Sequence, residues 1–185
     1  MSAAAAAARG HSWRISTSVS QSTRWGTPPA IYASLDQEFG FTLDAAADCA
    51  NAKHVRFFTK DTDALRASWA GEVVFCNPPY GRDMGAWVAK ALQEAEQGAT
   101  VVMLLPARTD VAWFHDYVLP HAEIRFIRGR LGFTLGNVAT NRGARAPFAS
   151  MVAIFYPGVR GDGNGVIQHV FPFMPRTTEH TNGEP

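Results

Sequence analysis

Four consecutive residues, Asn77-Pro78-Pro79-Tyr80, combine hydrogen-bond acceptors, a rigid backbone and an aromatic face. Proline fixes its own φ and excludes the residue before it from the helical region, so Asn77 and Pro78 are both held extended. The stiff loop presents two acceptors close together, the Asn77 side-chain oxygen and the Pro78 carbonyl, and no proline N–H competes for them. An exocyclic amino group needs such a pair. Its nitrogen lone pair is conjugated into the ring, and bonds from both of its N–H groups draw it toward a tetrahedral nitrogen able to attack an electrophile. Tyr80 adds a flat face for an unstacked base. The structural alternative is an ordinary double-proline turn.

That loop must be delivered by the element before it. Glu72 to Cys76 (EVVFC) has the continuous apolar run of a strand buried on both faces of a parallel sheet. Upstream, Thr27 reads as an N-cap with Pro28 in the first turn, and Ile31, Leu35 and Phe39 form one helical face before Gly40. Phe41 to Asp44 is a short strand ending in a carboxylate, and Val55 to Phe58 is a second candidate. Downstream, Met84, Trp87, Val88, Leu92 and Ala95 mark a helix face ended by Gly98, and Thr100 to Leu105 is a strand halted by Pro106. Asp110 to Leu119 is expected to be helical with Val111, Phe114 and Val118 inward; Glu123 to Ile127 and Ser150 to Tyr156 are the last strands. Strands alternating with helices predict an α/β sheet, in which ligands bind beyond the carboxyl ends of the strands.

A length of 185 residues suits one domain. Residues 1–22, rich in Ala, Ser and Thr, read as a flexible extension, 23–157 as the working domain, and 158–185 as a tail, partly ordered at most, whose Val166 to Phe173 stretch keeps apolar residues for packing. No apolar run approaches the roughly 18 residues of a membrane span, so a soluble protein with no membrane partner is expected. Cys49 and Cys76 supply neither a disulfide framework nor a zinc ligand set, which points to a reducing cytoplasm and no metal. Cys76 reads as a small buried residue, and His115, between aromatic residues, as packing or surface. The net charge of +1 seems at odds with a nucleic-acid partner, but the charge is unevenly spread. Asp36 to Asp63 holds six acids and three bases, whereas residues 121–150 hold Arg125, Arg128, Arg130, Arg142 and Arg145 against Glu123 alone.

The tetrapeptide also has companions. Trp25-Gly26-Thr27-Pro28, Phe39-Gly40-Phe41-Thr42-Leu43-Asp44, Trp69, Phe75-Cys76-Asn77-Pro78-Pro79-Tyr80, Leu105-Pro106-Ala107-Arg108-Thr109-Asp110, Trp113-Phe114-His115 and Gly129-Arg130-Leu131 follow one another in that order. Their succession resembles the phage-type DNA N6-adenine methyltransferase (Dam) family over roughly residues 24–156. The resemblance implies a compact Rossmann-like class I methyltransferase fold that uses S-adenosyl-L-methionine and no metal. It implies a site-specific enzyme that methylates N6 of an adenine flipped out of double-stranded DNA, working in the cytoplasm of a bacterial host from a phage or prophage gene.

By the same resemblance Asn77, Pro78, Pro79 and Tyr80 are the catalytic loop, and Trp25, Thr27, Pro28, Asp44, Asp63 and Asn77 face the cofactor. Asp44 meets the methionine ammonium or orders its loop, and Asp63 is preferred over Asp61 as the acid that meets ribose or the adenine amino group. For Asp44 a helix cap or surface acid is the alternative, and for Asp61 and Asp63 a cap on the following helix. One departure stands out. Only 32 residues separate Asp44 from Asn77, and Ala45-Ala46-Ala47-Asp48 replaces the family's glycine-rich motif, so the cofactor half of the sheet is expected to be abbreviated.

Arg108, Arg128, Arg130, Arg142 and Arg145 are the candidate DNA contacts, since guanidinium forks match phosphates and guanine edges. Pairing with internal carboxylates is the alternative for each. Because the same tetrapeptide serves RNA guanine-N2 and protein glutamine-N5 methyltransferases, those substrates stay open. So does a nucleic-acid-binding relative without catalysis.

Overall fold

The computed structural model describes residues 25–135, 145–158 and 167–171. The proposed 1–22 extension, Arg142 and most of the 158–185 tail lie outside the described residues. The elements are β1 (Trp25–Gly26), α1 (Pro29–Phe39), β2 (Leu43–Asp44), β3 (Val73–Cys76), α2 (Met84–Glu96) and β4 (Thr100–Pro106), then a π-helical segment (Phe114–Val118) running into α3 (Leu119–His121), β5 (Glu123–Ile127), β6 (Thr134–Leu135), β7 (Ser150–Phe155) and β8 (Ile167–Phe171).

Six strands form one sheet in the order β2-β3-β4-β7-β5-β8, and β1 pairs separately with β6. Within the large sheet β7 runs antiparallel to both of its neighbours, while the β2–β3, β3–β4 and β5–β8 pairs are parallel. The α/β architecture is therefore the expected one. A strand from beyond residue 157 completes it.

Both faces of the sheet are covered, which explains the unbroken apolar runs. On β4, Val101, Met103 and Leu105 pack on one side with Val88, Ala91 and Ala95 of α2 and with Phe114 and Val118. Val102 and Leu104 pack on the other with Leu35, Phe41 and Phe133. Leu104 and Leu105 are fully buried, each contributing roughly 1.5–3 kcal/mol relative to exposure.

The shortened cofactor half has a clear structural form. β2 lies at the sheet edge, and beyond it the Val55–Phe58 strand candidate is reduced to a single parallel bridge between Asp44 and Phe57. The Asp44 N–H donates to the Arg56 carbonyl at 3.0 Å and the Phe58 N–H to the Asp44 carbonyl at 2.9 Å. These two bonds cap the edge. A full strand fails to form because the chain must turn at once into the crossover that carries Trp69.

That crossover is tied down by a buried ion pair. Glu94 is 1% exposed, accepts the Trp69 N–H at 2.6 Å and pairs with Lys90 one helical turn earlier at 2.5 Å. The Trp69 indole N–H donates to the Ala64 carbonyl at 3.0 Å, and the Lys90 ammonium stands 5.8 Å from the ring centroid.

A second tie joins β2 to β3. The Thr42 hydroxyl donates to Glu72 at 2.6 Å and accepts the Val73 N–H at 2.9 Å, and Arg56 pairs with Glu72 at 2.8 Å. The Thr42 hydroxyl is the largest influence on the Glu72 carboxyl and lowers its pKa; partial desolvation opposes it, Arg56 adds to it, and the net position is below the ordinary 4.5. A depressed carboxyl stabilises the fold fully above its unfolded pKa, and the stabilisation is lost as pH falls through the folded value. Glu72→Gln is therefore expected to lower the melting temperature near about pH 7, with the gap to wild type closing near about pH 3. Thermal unfolding of both proteins across that range checks it; a gap that persists in acid would mean the carboxylate charge is not its source.

Candidate active site

Parallel strands bring distant residues to one edge of the sheet. β2, β3, β4 and β5 all end there, and β7 starts there, so Asp44, the Asn77 to Tyr80 loop, Arg108, Arg128, Arg130 and Arg145 share that edge. A cleft at the ends of β2 and β3 has Thr27, Asp44, Asn51, Lys53, Asn77 and Tyr80 among its lining residues, together with Gly26, Pro78 and Pro79.

Asn77 follows the last residue of β3, and its side-chain Nδ2 donates to the Thr27 hydroxyl oxygen at 3.1 Å. As placed, the amide nitrogen faces Thr27, which turns the amide oxygen away from that hydroxyl. The bond also corrects the expected cap. α1 begins at Pro29, the helix carries no side-chain cap, and the Pro28 carbonyl takes the Ile31 and Tyr32 N–H groups. Thr27 is 2% exposed and is given to the loop instead. The helix stop at Gly40 is as expected, with φ of +65° in the left-handed region that glycine tolerates.

Pro78 is buried and Pro79 exposed, both against the cleft. The Tyr80 hydroxyl donates to the Leu104 carbonyl at 3.2 Å, and its ring meets Phe133 and Phe148 edge-on at centroid distances of 6.0 and 5.5 Å. Burial pushes the phenol pKa well up, so it remains a neutral donor. The ring is a fixed wall.

Asp44 is 3% exposed. One carboxylate oxygen accepts the Ala46 N–H at 3.3 Å and the other the Lys53 N–H at 3.0 Å, so the carboxylate orders the loop it begins. Burial is the largest influence on its pKa and raises it; the Lys53 and Ala46 N–H bonds, then the Lys53 and His54 charges, recover only part of that. A cation entering the cleft would stabilise the ionised form. Lys53 is shifted the opposite way, its pKa lowered by burial against the pull of Asp44.

The alanines that replace a glycine-rich turn are accommodated because their amides are used internally. The Ala45 N–H donates to the Phe75 carbonyl at 2.9 Å and the Ala47 N–H to the Phe58 carbonyl at 3.0 Å. None of these alanines has a positive φ; among the described non-glycine residues only Asp63 does, at 45°. Asp63 is exposed in the crossover, where its carbonyl accepts the Arg66 and Ala67 N–H groups, and it does not line the cleft. Asp61 is exposed as well. Trp25 is not among the residues that line the cleft; its backbone pairs with Leu135 as β1 meets β6.

Of the basic residues, Arg108, Arg128, Arg130 and Arg145 are exposed. Arg125 is committed elsewhere: it forms a forked pair with Glu38 at 2.7 and 2.8 Å and a third bond to Glu123 at 2.6 Å. His115 bonds its own turn, the ring Nε2 lying 2.8 Å from the Thr109 carbonyl oxygen, and Cys76 is fully buried. Two cleft residues, Asn51 and Lys53, escaped the reading of the sequence, as did the exposed Arg82 just beyond the Tyr80 loop. A cation nine positions after Asp44 carries no spacing signal, but Arg82, directly after Tyr80-Gly81, was within reach of the motif. Among the described residues no helix is long and apolar enough to cross a membrane.

A family model described as DNA N-6-adenine-methyltransferase (Dam) matches residues 14–167. The chain is 34% identical over 128 residues to a DNA N-6-adenine-methyltransferase of Escherichia phage T1, covering 68% of this chain and 53% of that protein. It is 32% identical over 113 residues to a DNA N-6-adenine-methyltransferase of Haemophilus phage HP1 (strain HP1c1), covering 60% of this chain and 65% of that protein. The chain thus spans about half to two thirds of the length of these relatives.

Proposed function

Because the chain belongs to the DNA N-6-adenine-methyltransferase (Dam) family, we propose that it transfers a methyl group from S-adenosyl-L-methionine to N6 of an adenine swung out of double-stranded DNA. The observation that carries this reading is the Asn77 amide, anchored through Nδ2 on Thr27 beside Pro78, in a cleft that also holds the buried Asp44. In that orientation the amide oxygen and the Pro78 carbonyl receive the two N–H groups of the adenine amino nitrogen. Catalysis then rests on position and polarised hydrogen bonds.

The residues present fit the methyl donor. Asp44 and Lys53 give the cleft a carboxylate and an ammonium, the complement of an amino-acid zwitterion, and the raised pKa of Asp44 favours a cationic ligand. When bound, the donor supplies a sulfonium-activated methyl group. Asp44 holds the loop and offers charge, Thr27 holds Asn77, and Tyr80 walls the base. Arg108, Arg128, Arg130 and Arg145, on the same edge, contact the DNA backbone.

Incubation with methyl-labelled donor and unmethylated DNA, followed by nucleoside analysis and modified-base sequencing, is expected to place the label in N6-methyladenine within a defined sequence. Label in RNA guanine or protein glutamine, with none in DNA, would overturn the substrate. Binding of S-adenosylhomocysteine with no transfer to any of these would overturn the chemistry.

A further inference from the structure

The Asn77 to Tyr80 loop is held by β4, through the bond from the Tyr80 hydroxyl to the Leu104 carbonyl, and also from outside the six-stranded sheet. Both outside contacts come from one stretch of chain. Thr134 pairs with Gly26 as β6 meets β1, and the residue after Gly26 is Thr27, whose hydroxyl oxygen accepts the Asn77 Nδ2–H. Phe133, the neighbour of Thr134, meets the Tyr80 ring edge-on, and Phe148 closes the cluster 6.2 Å from Phe133. Phe133 and Thr134 are both buried. Tyr80 lines a second cleft, with Arg82, Arg108 and Phe148, besides the one at Asn77, so the position of its ring shapes both.

The same stretch is tied to basic residues. The exposed Arg130 directly precedes Leu131, whose carbonyl accepts the Ala146 N–H at 2.8 Å, and Gly132 forms an antiparallel bridge with Arg145, which is exposed too. Residues 130–134 therefore run from an exposed guanidinium group to contacts with both ends of the tetrapeptide. Packed groups leave little free volume, so a displacement at one end of such a stretch is passed to the other.

We infer that Phe133 and Thr134 are positioning residues through which DNA held at Arg130 and Arg145 aligns Tyr80 and Asn77 for transfer. The inference rests on the proposed DNA substrate and goes beyond it, because the two arginines then raise the rate of the bound complex as well as its affinity. Binding energy from a contact remote from the reacting atoms raises the rate when it is used for alignment.

Three substitutions test the role. Thr134→Pro removes a backbone N–H and opposes strand pairing at β6, which lies outside the large sheet, whereas Thr134→Ser keeps the N–H and the hydroxyl. Phe133→Leu removes the ring and keeps an apolar side chain. With saturating DNA and methyl donor, Thr134→Pro and Phe133→Leu are each expected to slow single-turnover transfer by about 10–100-fold, with affinities for duplex and for S-adenosylhomocysteine held within about twofold. Thr134→Ser should restore the wild-type rate. Ile154→Val, a truncation in the same apolar cluster at the far end of β7, should lower the melting temperature without slowing transfer. The Asn77 side-chain amide resonance, identified by its absence from Asn77→Ala, gives a readout independent of turnover. A duplex of G·C pairs alone, which has no adenine to present, should shift that resonance in wild type and leave it unmoved in Thr134→Pro, although both proteins bind.

An unchanged rate in either Thr134→Pro or Phe133→Leu would remove that residue from the role. A loss confined to duplex affinity, an equal loss in Ile154→Val, or an equal resonance shift in wild type and Thr134→Pro would overturn the inference. A wild type that binds S-adenosylhomocysteine but no duplex would instead overturn the DNA reading on which it rests.

Discussion

Asn77→Ala is expected to reduce methyl transfer by about 10²–10³-fold, the scale on which a single preorganised hydrogen-bonding group acts at a reacting atom. The affinity for S-adenosylhomocysteine should survive, since Asp44 and Lys53 are untouched. The substitution removes both the amide oxygen and the 3.1 Å bond from Nδ2 to Thr27. That bond contributes only about 1 kcal/mol to stability, so the variant should remain folded. Asn77→Asp separates the two roles. A carboxylate keeps an acceptor toward the amino group, and the Thr27 hydroxyl can turn round and donate to it. Most of the activity should therefore return with Asp and not with Ala. Single-turnover transfer at saturating DNA, with calorimetry of S-adenosylhomocysteine alongside, measures both quantities. Near wild-type turnover by the Ala variant would remove Asn77 from the chemistry.

The largest expected loss of stability comes from Glu94→Ala, about 3–5 kcal/mol. Lys90, its side chain only 10% exposed, would be left without its carboxylate partner, and the Trp69 N–H would lose its 2.6 Å acceptor. Trp69 is fully buried and anchors the whole crossover between β2 and β3, so the damage should spread to the cleft through Asp44 and Lys53. Replacing the pair together, as Lys90→Met with Glu94→Gln, should recover most of the loss, because no unpaired charge remains and Gln can still accept the Trp69 N–H. Urea unfolding of the three proteins decides it: a loss below about 1 kcal/mol for Glu94→Ala would show that the pair is peripheral.

Features governed by local rules were legible. The unbroken apolar run of β3 marks a strand buried on both faces, and the prolines after it mark an extended loop at its end; both are found at Val73–Cys76 and beyond. Gly40 ends α1 for the same kind of reason. The shortened cofactor half was legible as plain chain length between Asp44 and Asn77. Where two partners competed for one group, local pattern misled. Thr27 before proline has the pattern of a cap, yet Asn77, 50 positions away, takes its hydroxyl. Arg125 counted toward a basic patch, yet Glu38, 87 positions earlier, takes its guanidinium in a forked pair.

From the sequence alone came the family, the α/β class and the loop bearing Asn77, because apolar periodicity, proline geometry and motif order need no knowledge of distant neighbours. The tertiary structure alone decided that Lys53 joins Asp44 in one cleft, that Arg82 and Arg108 share another, and that Tyr80 lines both. The physical reason is that strand order in the sheet brings loops together across tens of residues, and only the packed chain determines which charged groups meet a partner and which stay exposed.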